Sequence, residues 1–152
     1  MTKLRRTPER IYLPRGFSFS AVVAGIKASG RPDLALIASS ASASAAALFT
    51  RNLVVAAPLE VDRASLASSA GHVRAVVVNS GNANCATGRA GRQSCQRVCR
   101  HAAQLLGVPA EEVFPSSTGI IGVPLDRLIS IPPHKDIGVS AYLSLKQIGV
   151  RI

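Results

Sequence analysis

Two short stretches carry the residue types that acyl chemistry requires: Asn79-Ser80-Gly81-Asn82-Ala83-Asn84 and Ser117-Thr118-Gly119-Ile120-Ile121-Gly122. During acyl transfer a carbonyl oxygen becomes negative, and donors already in place must meet that charge. Thr118 offers a hydroxyl and a backbone N–H, and Gly119 an unobstructed backbone N–H, so the two can converge on one oxygen. Losing one donor of this kind raises a barrier by about 3 kcal/mol, so placement matters. The first stretch suits a supporting role: Asn79, Asn82 and Asn84 can bond nearby backbone or bridge to a ligand, and Gly81 tolerates a positive φ. On composition alone, each stretch serves equally well as a ligand-free turn just after an apolar strand.

Other chemistries find less support. His72, His101 and His134 share no ligand spacing, and Cys85, Cys95 and Cys99 lack the short spacings and fourth ligand of a thiolate metal site. Cys95 and Cys99 lie one helical turn apart and read as inert thiols on an apolar face, with Cys85 in a loop. Asp33, Asp62 and Asp126 are scattered, with no paired-carboxylate arrangement. Lys27 and Arg31 flank a turn, where they could meet an acidic substrate or simply face solvent.

The elements that must position these groups read as a mixed α/β fold. Residues 16–25 and 34–38 are apolar enough for strands, joined as a hairpin through Lys27-Ala28-Ser29-Gly30-Arg31-Pro32-Asp33. The Ser/Ala run 39–47 allows a helix in its second half, capped by Ser39, Ser40 or Ser42. Pro58-Leu59-Glu60-Val61 suggests a strand, and 64–70 a short helix closed by Gly71. The run Ala75-Val76-Val77-Val78 predicts a strand buried on both faces and ending at Asn79. Residues 89–106 form the best helix, with Cys95, Val98, Cys99, Ala102, Leu105 and Leu106 on one face, and Arg92, Arg97, Arg100 and Gln104 elsewhere. Gly107 stops it, Pro109 with Glu111 and Glu112 starts a short helix, and Pro124 to Leu128 begins another turn. Beyond Ile129 the character changes at Ile131-Pro132-Pro133, and 141–148 is weakly amphipathic.

With 152 residues the chain holds one core, built from Ala, Val, Leu and Ile with no Trp. Its formal charge of +10 attracts acidic molecules, but the dispersed Arg and scarce aromatics argue against nucleic acid. Three cysteines, an odd number, favour a reducing compartment. The basic head lacks a secretory apolar core, and no run approaches membrane-spanning length, so we expect a cytoplasmic protein, or an organellar-matrix one in a eukaryote.

Between Pro14 and Leu128 the motifs fall in the order of a known family. They are Gly16-Phe17, Ala24-Gly25-Ile26-Lys27, Gly30-Arg31-Pro32-Asp33-Leu34-Ala35-Leu36-Ile37, Phe49-Thr50-Arg51-Asn52, Ala56-Ala57-Pro58, the two stretches above and Gly107-Val108-Pro109. The chain resembles the N-terminal, or alpha, part of the ornithine acetyltransferase (glutamate N-acetyltransferase) family of arginine biosynthesis. The resemblance implies a self-cleaving enzyme of mixed α/β fold, whose beta chain begins with a nucleophilic threonine. That threonine takes acetyl from N-acetylornithine and passes it to glutamate, with acetyl-CoA a further donor in some members and no cofactor or metal. The family's oxyanion-hole pair falls on Thr118 and Gly119. The implied partner is a beta chain, in a hetero-oligomer of alpha and beta chains.

Two departures qualify this. Asn84-Cys85-Ala86-Thr87-Gly88 exchanges the middle pair of the family's Asn-Ala-Cys-Thr-Gly. The family's cleavage segment and nucleophile have no match, so this chain supplies no nucleophile. The organisation expected is a basic head over 1–13, an acetyltransferase alpha-chain-like domain over 14–129 and a divergent tail over 130–152. Alone, such a chain is inactive. Two rival readings are a non-catalytic basic binding protein and an inactive truncated fragment.

Overall fold

A computed structural model describes residues 13–125. The basic head up to residue 12, Asp126, most of the turn expected at 124–128 and the tail with its weak amphipathic run lie outside the described residues.

Four strands, β1 (Phe17–Val22), β2 (Leu34–Ser44), β3 (His72–Asn82) and β4 (Val113–Ile120), make one sheet in that order. β1 and β2 pair antiparallel, as do β2 and β3, whereas β3 and β4 run parallel. A parallel pair needs a long crossover, and helix α2 (Gly88–Leu106) provides it. Helix α1 (Ala57–Ser68) connects β2 to β3.

The core lies between the sheet and α2. Leu34, Leu36 and Ala38 of β2, Ala75 and Val77 of β3 and Val113 of β4 pack on Cys99, Ala102 and Ala103. The helix side of this contact consists of small residues, which lets α2 approach the strands closely, as expected for a core without large aromatic anchors. Ala57 and Val61 of α1 join Cys95 in a second cluster, which seats α1 against α2. The Arg-rich side of α2 faces solvent as its periodicity predicts, and Gly107 caps it in the left-handed region at φ 66°. Cys95 and Cys99 are free, buried thiols on the apolar face, and Cys85 is half-buried in a loop.

The structure corrects several expectations. The Ser/Ala run is no helix: β2 continues through it to Ser44, and Ala43 and Ser44 pair with Val73 and His72 beyond a register break after Ala38. Arg74 bridges that break, donating from Nε to the Ser39 carbonyl at 3.2 Å. Alanine's helix preference amounts to only a few tenths of a kcal/mol per residue over serine, and a neighbouring strand overrides it. Pro58 to Val61 is not a strand but the first turn of α1, where proline is tolerated because the N–H it lacks has no helical partner. The helix expected over 64–70 is therefore the second half of a longer one. The helix expected after Pro109 is a single 3-10 turn, Ala110–Glu112.

Candidate functional site

The two sequence stretches lie side by side. Instead of ending at Asn79, β3 runs on to Asn82, and the second stretch is the end of β4 rather than a turn after a strand. Asn79 pairs with Ser117, Ser80 with Thr118 and Gly81 with Gly119; beyond this the register breaks, and Asn82 aligns with both Thr118 and Ile120. Both candidate donors thus lie within the paired end of β4, and the register breaks immediately beyond them. Thr118 and Gly119 are exposed, and β4 is the last strand of the sheet, with no strand on its other side among the described residues.

Both glycines are required by close approach. Gly119 has φ +138°, and a Cβ there would lie 2.2 Å from the Gly81 carbonyl carbon and 2.4 Å from the Asn82 nitrogen. Gly81 has φ +106°, and its Cβ would come within 2.8 Å of Lys27 Cγ. The stem of Lys27 therefore lies across the glycine that pairs with Gly119. Its position is fixed by Asp33, only 3% exposed, whose carboxylate accepts the Ala24 N–H at 2.6 Å and the Lys27 N–H at 2.8 Å. The Asp33 carbonyl also accepts the Ser80 N–H at 2.8 Å. Sequence reading left Asp33 without a role; a carboxylate just before a buried strand and six residues after Lys27 was the available signal.

The three asparagines are interior struts. Asn79 is 7% exposed, and Asn82 and Asn84 are fully buried. Asn79 donates from Nδ2 to the Asn82 carbonyl at 2.8 Å and accepts the Ser117 hydroxyl at 2.5 Å. Asn82 donates to the Val123 carbonyl at 2.8 Å and accepts the Asn84 N–H at 2.6 Å. Asn84, at φ 46°, donates to the Gly91 carbonyl and Cys95 Sγ, and its Oδ1 accepts the Thr87 hydroxyl at 2.7 Å. Its own carbonyl accepts the Ala57 N–H at the start of α1. In the exchanged pair, Ala86 is exposed at φ 57°, and the Cys85 carbonyl accepts the Gly122 N–H at 2.9 Å.

Two thiols and one carboxyl are electrostatically perturbed. Burial pushes Cys95 up to about 11 and Cys99 to about 12, so both are protonated and unreactive at neutral pH. Burial also raises Asp62 of α1 to about 7, and its Oδ1 has no hydrogen-bond partner. No group of three or more His, Cys, Asp or Glu among the described residues could hold a metal ion. No described helix is long and apolar enough to cross a membrane. Lys27 is half-buried at the corner, while Arg31 is exposed in the hairpin loop.

The described part of the chain is thus a mixed α/β unit whose parallel strand pair ends in a strutted double-glycine corner. The family model described as the ArgJ family matches residues 18–131, and the chain belongs to that family. It is 51% identical over 115 residues to the arginine biosynthesis bifunctional protein ArgJ of Thermus thermophilus, covering 76% of this chain and 30% of that protein. The Nitratidesulfovibrio vulgaris protein of the same name is 47% identical over 112 residues, covering 74% of this chain and 28% of that protein. The chain therefore spans under a third of the length of these curated relatives. Among solved structures, the ArgJ of Bacillus halodurans matches with TM-score 0.68 and 35% identity over 86% of this chain and 71% of that one. Ornithine acetyltransferase of Mycobacterium tuberculosis, crystallised with ornithine, matches with TM-score 0.68 and 42% identity, over 77% of this chain and 64% of that one.

Two outcomes test the site's construction. Asn84→Ala strands the Thr87 hydroxyl and the Gly91 carbonyl and should destabilise the chain by roughly 1–3 kcal/mol in urea unfolding; a change within error would mean the struts are dispensable. Asp62 is held above its unfolded value of 3.8, at about 7. The folded chain therefore keeps a proton that the unfolded chain releases, and stability falls as pH rises through that window. Asp62→Asn should raise the melting temperature at about pH 8 and lose that advantage as pH falls toward about 4. An equal effect at both ends would contradict the assignment.

Proposed function

We propose that this chain is the alpha-chain part of a glutamate N-acetyltransferase that moves acetyl from N-acetylornithine to glutamate. The observation that carries the reading is the Gly81–Gly119 pair beside exposed Thr118, at a family-matched corner braced by buried amides. A threonine on a separate polypeptide attacks the acetyl carbonyl through its hydroxyl oxygen, and its own N-terminal amine takes the hydroxyl proton. The carbonyl oxygen becomes negative and is met by donors from Thr118 and Gly119. Collapse breaks the C–N bond, the proton passes to the leaving amine of ornithine, and acetyl remains on threonine. The amine of glutamate then attacks that ester, the same two donors hold the second tetrahedral oxygen, and threonine leaves with its proton restored.

Rigidity suits this role, because an oxyanion donor acts only if it need not reorganise as charge develops. The proposed partner is a beta chain carrying the threonine, in a hetero-oligomer; the reaction needs no cofactor or metal, with acetyl-CoA as a further acetyl donor. Without that chain the protein is inactive, and its proposed location is the cytoplasm.

The test is acetyl transfer from N-acetylornithine to glutamate, by the chain alone and when co-expressed with the remaining length of the Thermus thermophilus relative. Activity is expected only in the second case. In the active mixture, Thr118→Ala should lower kcat about 100-fold with little change in KM. Activity of the chain alone, or an unchanged kcat, would contradict the reading.

A further inference from the structure

Positive charge is plentiful in this chain, with a formal total of +10, but one cation is built into the glycine corner. Arg63 serves the Thr50 carbonyl, Arg74 the Ser39 carbonyl and Arg92 the Glu60 carboxylate, all from α1, α2 or the start of β3. Arg31 stands exposed in the hairpin loop. Lys27 differs. It is half-buried, and its stem runs across Gly81, the residue that pairs with Gly119.

Ordering a lysine costs side-chain entropy, and here the fold meets that cost in advance. Asp33, 3% exposed, accepts the Lys27 N–H at 2.8 Å and the Ala24 N–H at 2.6 Å, which fixes where the side chain begins. Gly81 leaves the room that the stem occupies, since a Cβ there would fall 2.8 Å from Lys27 Cγ and 3.2 Å from Ile26 Cγ2. Gly119 in turn closes on Gly81, where a Cβ of its own would lie 2.6 Å from the Gly81 carbonyl oxygen. The lysine stem and the candidate donor residue therefore pack on the same glycine.

This anchored stem ends in an ammonium that the fold leaves unmatched. Nζ reaches the Pro32 carbonyl at 3.5 Å, longer than a well-formed N–H···O bond, and no carboxylate among the described residues pairs with it. Both Asp33 oxygens are already taken by backbone N–H groups. A half-buried ammonium with donors to spare is suited to receiving an anion.

The chemistry of the proposed reaction names that anion. In N-acetylornithine and in glutamate the reacting nitrogen sits on the α-carbon, and the same carbon carries a carboxylate. With the acetyl oxygen held at Thr118 and Gly119, this carboxylate lies one carbon from the reacting nitrogen in both half-reactions, and so near the corner whichever substrate is bound. We propose that Lys27 is a substrate-binding residue whose ammonium takes the α-carboxylate common to the acetyl donor and the acceptor. The inference rests on the function proposed above, because the carboxylate belongs to those substrates. One ammonium beside the oxyanion donors can orient first the amide and then the incoming amine, since the leaving and entering nitrogens occupy one position. A point charge suits this better than a guanidinium fork, because the two substrates need not present the carboxylate identically.

Substitution separates the stem from the charge. Lys27→Met keeps an unbranched apolar stem across Gly81 and removes the ammonium, whereas Lys27→Arg keeps a charge. Each is made in the 152-residue chain, co-expressed with the remaining length of the Thermus thermophilus relative. Transfer is measured with N-acetylornithine and glutamate, and again with their α-carboxamides. Lys27→Met should raise KM for both acids by roughly 10–100-fold with kcat within about twofold, as when binding is lost equally from ground and transition states. Lys27→Arg should recover most of that loss. The α-carboxamides should be equally poor with the parent and with Lys27→Met, since ammonium and carboxylate are two sides of one contact. An unchanged KM for the acids, a loss confined to kcat, or a loss of the same size with the carboxamides overturns the inference and leaves the proposed function standing. An inactive parent mixture removes the proposed function, and this inference with it.

Discussion

Everything at the candidate site depends on buried amide side chains standing in for backbone pairing where β3 and β4 diverge. Regular parallel pairing stops after Gly81 and Gly119, leaving polar backbone inside the fold. An unpaired buried carbonyl or N–H costs roughly 1–3 kcal/mol, so such a break needs substitutes. Asn79 takes the Asn82 carbonyl, and Asn82 takes the Val123 carbonyl and the Asn84 N–H. Asparagine is the shortest side chain that carries an amide donor and a carbonyl acceptor on separate atoms, so one residue can serve two backbone groups at once.

From that brace the rest of the unit is tied down. Asn84 reaches the first turns of α2 through Gly91 and Cys95, and its carbonyl holds the first residue of α1. The start of each helix is thereby referenced to the end of β3. Gly91 is glycine because a Cβ there would fall 1.9 Å from Thr87 Oγ1, within the contact that Asn84 organises. On the other side, Asp33 pins the loop that lays Lys27 across Gly81. The corner is therefore fixed from the helices and from the hairpin at once, and Thr118 and Gly119 inherit that rigidity.

Much of this was legible in the sequence, and the gaps have physical causes. The run Ala75 to Val78 and the periodicity from Cys95 to Leu106 were legible because each is a burial pattern, which tertiary structure obeys. The β1–β2 hairpin followed from the Gly and Pro between its strands. The Ser/Ala run misled because its weak local preference yields to strand pairing with Val73 and His72, which are distant in sequence. Pro58 misled because proline is compatible with both a strand edge and a first helical turn. The two signature stretches were visible as composition, their residue types suggested donors for an oxyanion, and family resemblance supplied the particular reaction. That they are neighbouring strand ends, and that Asn82 and Asn84 are fully buried, depends on pairings between residues some forty positions apart, which composition does not encode.

The most direct measurement is residue-by-residue amide hydrogen exchange on the 152-residue chain. If buried side-chain amides hold the corner, the N–H groups of Ala57, Ala83, Asn84 and Gly122 should exchange as slowly as those in the middle of β3, through the same cooperative opening. Exchange of these four at the rate of the exposed segment around Leu53 would show that the struts do not hold the corner.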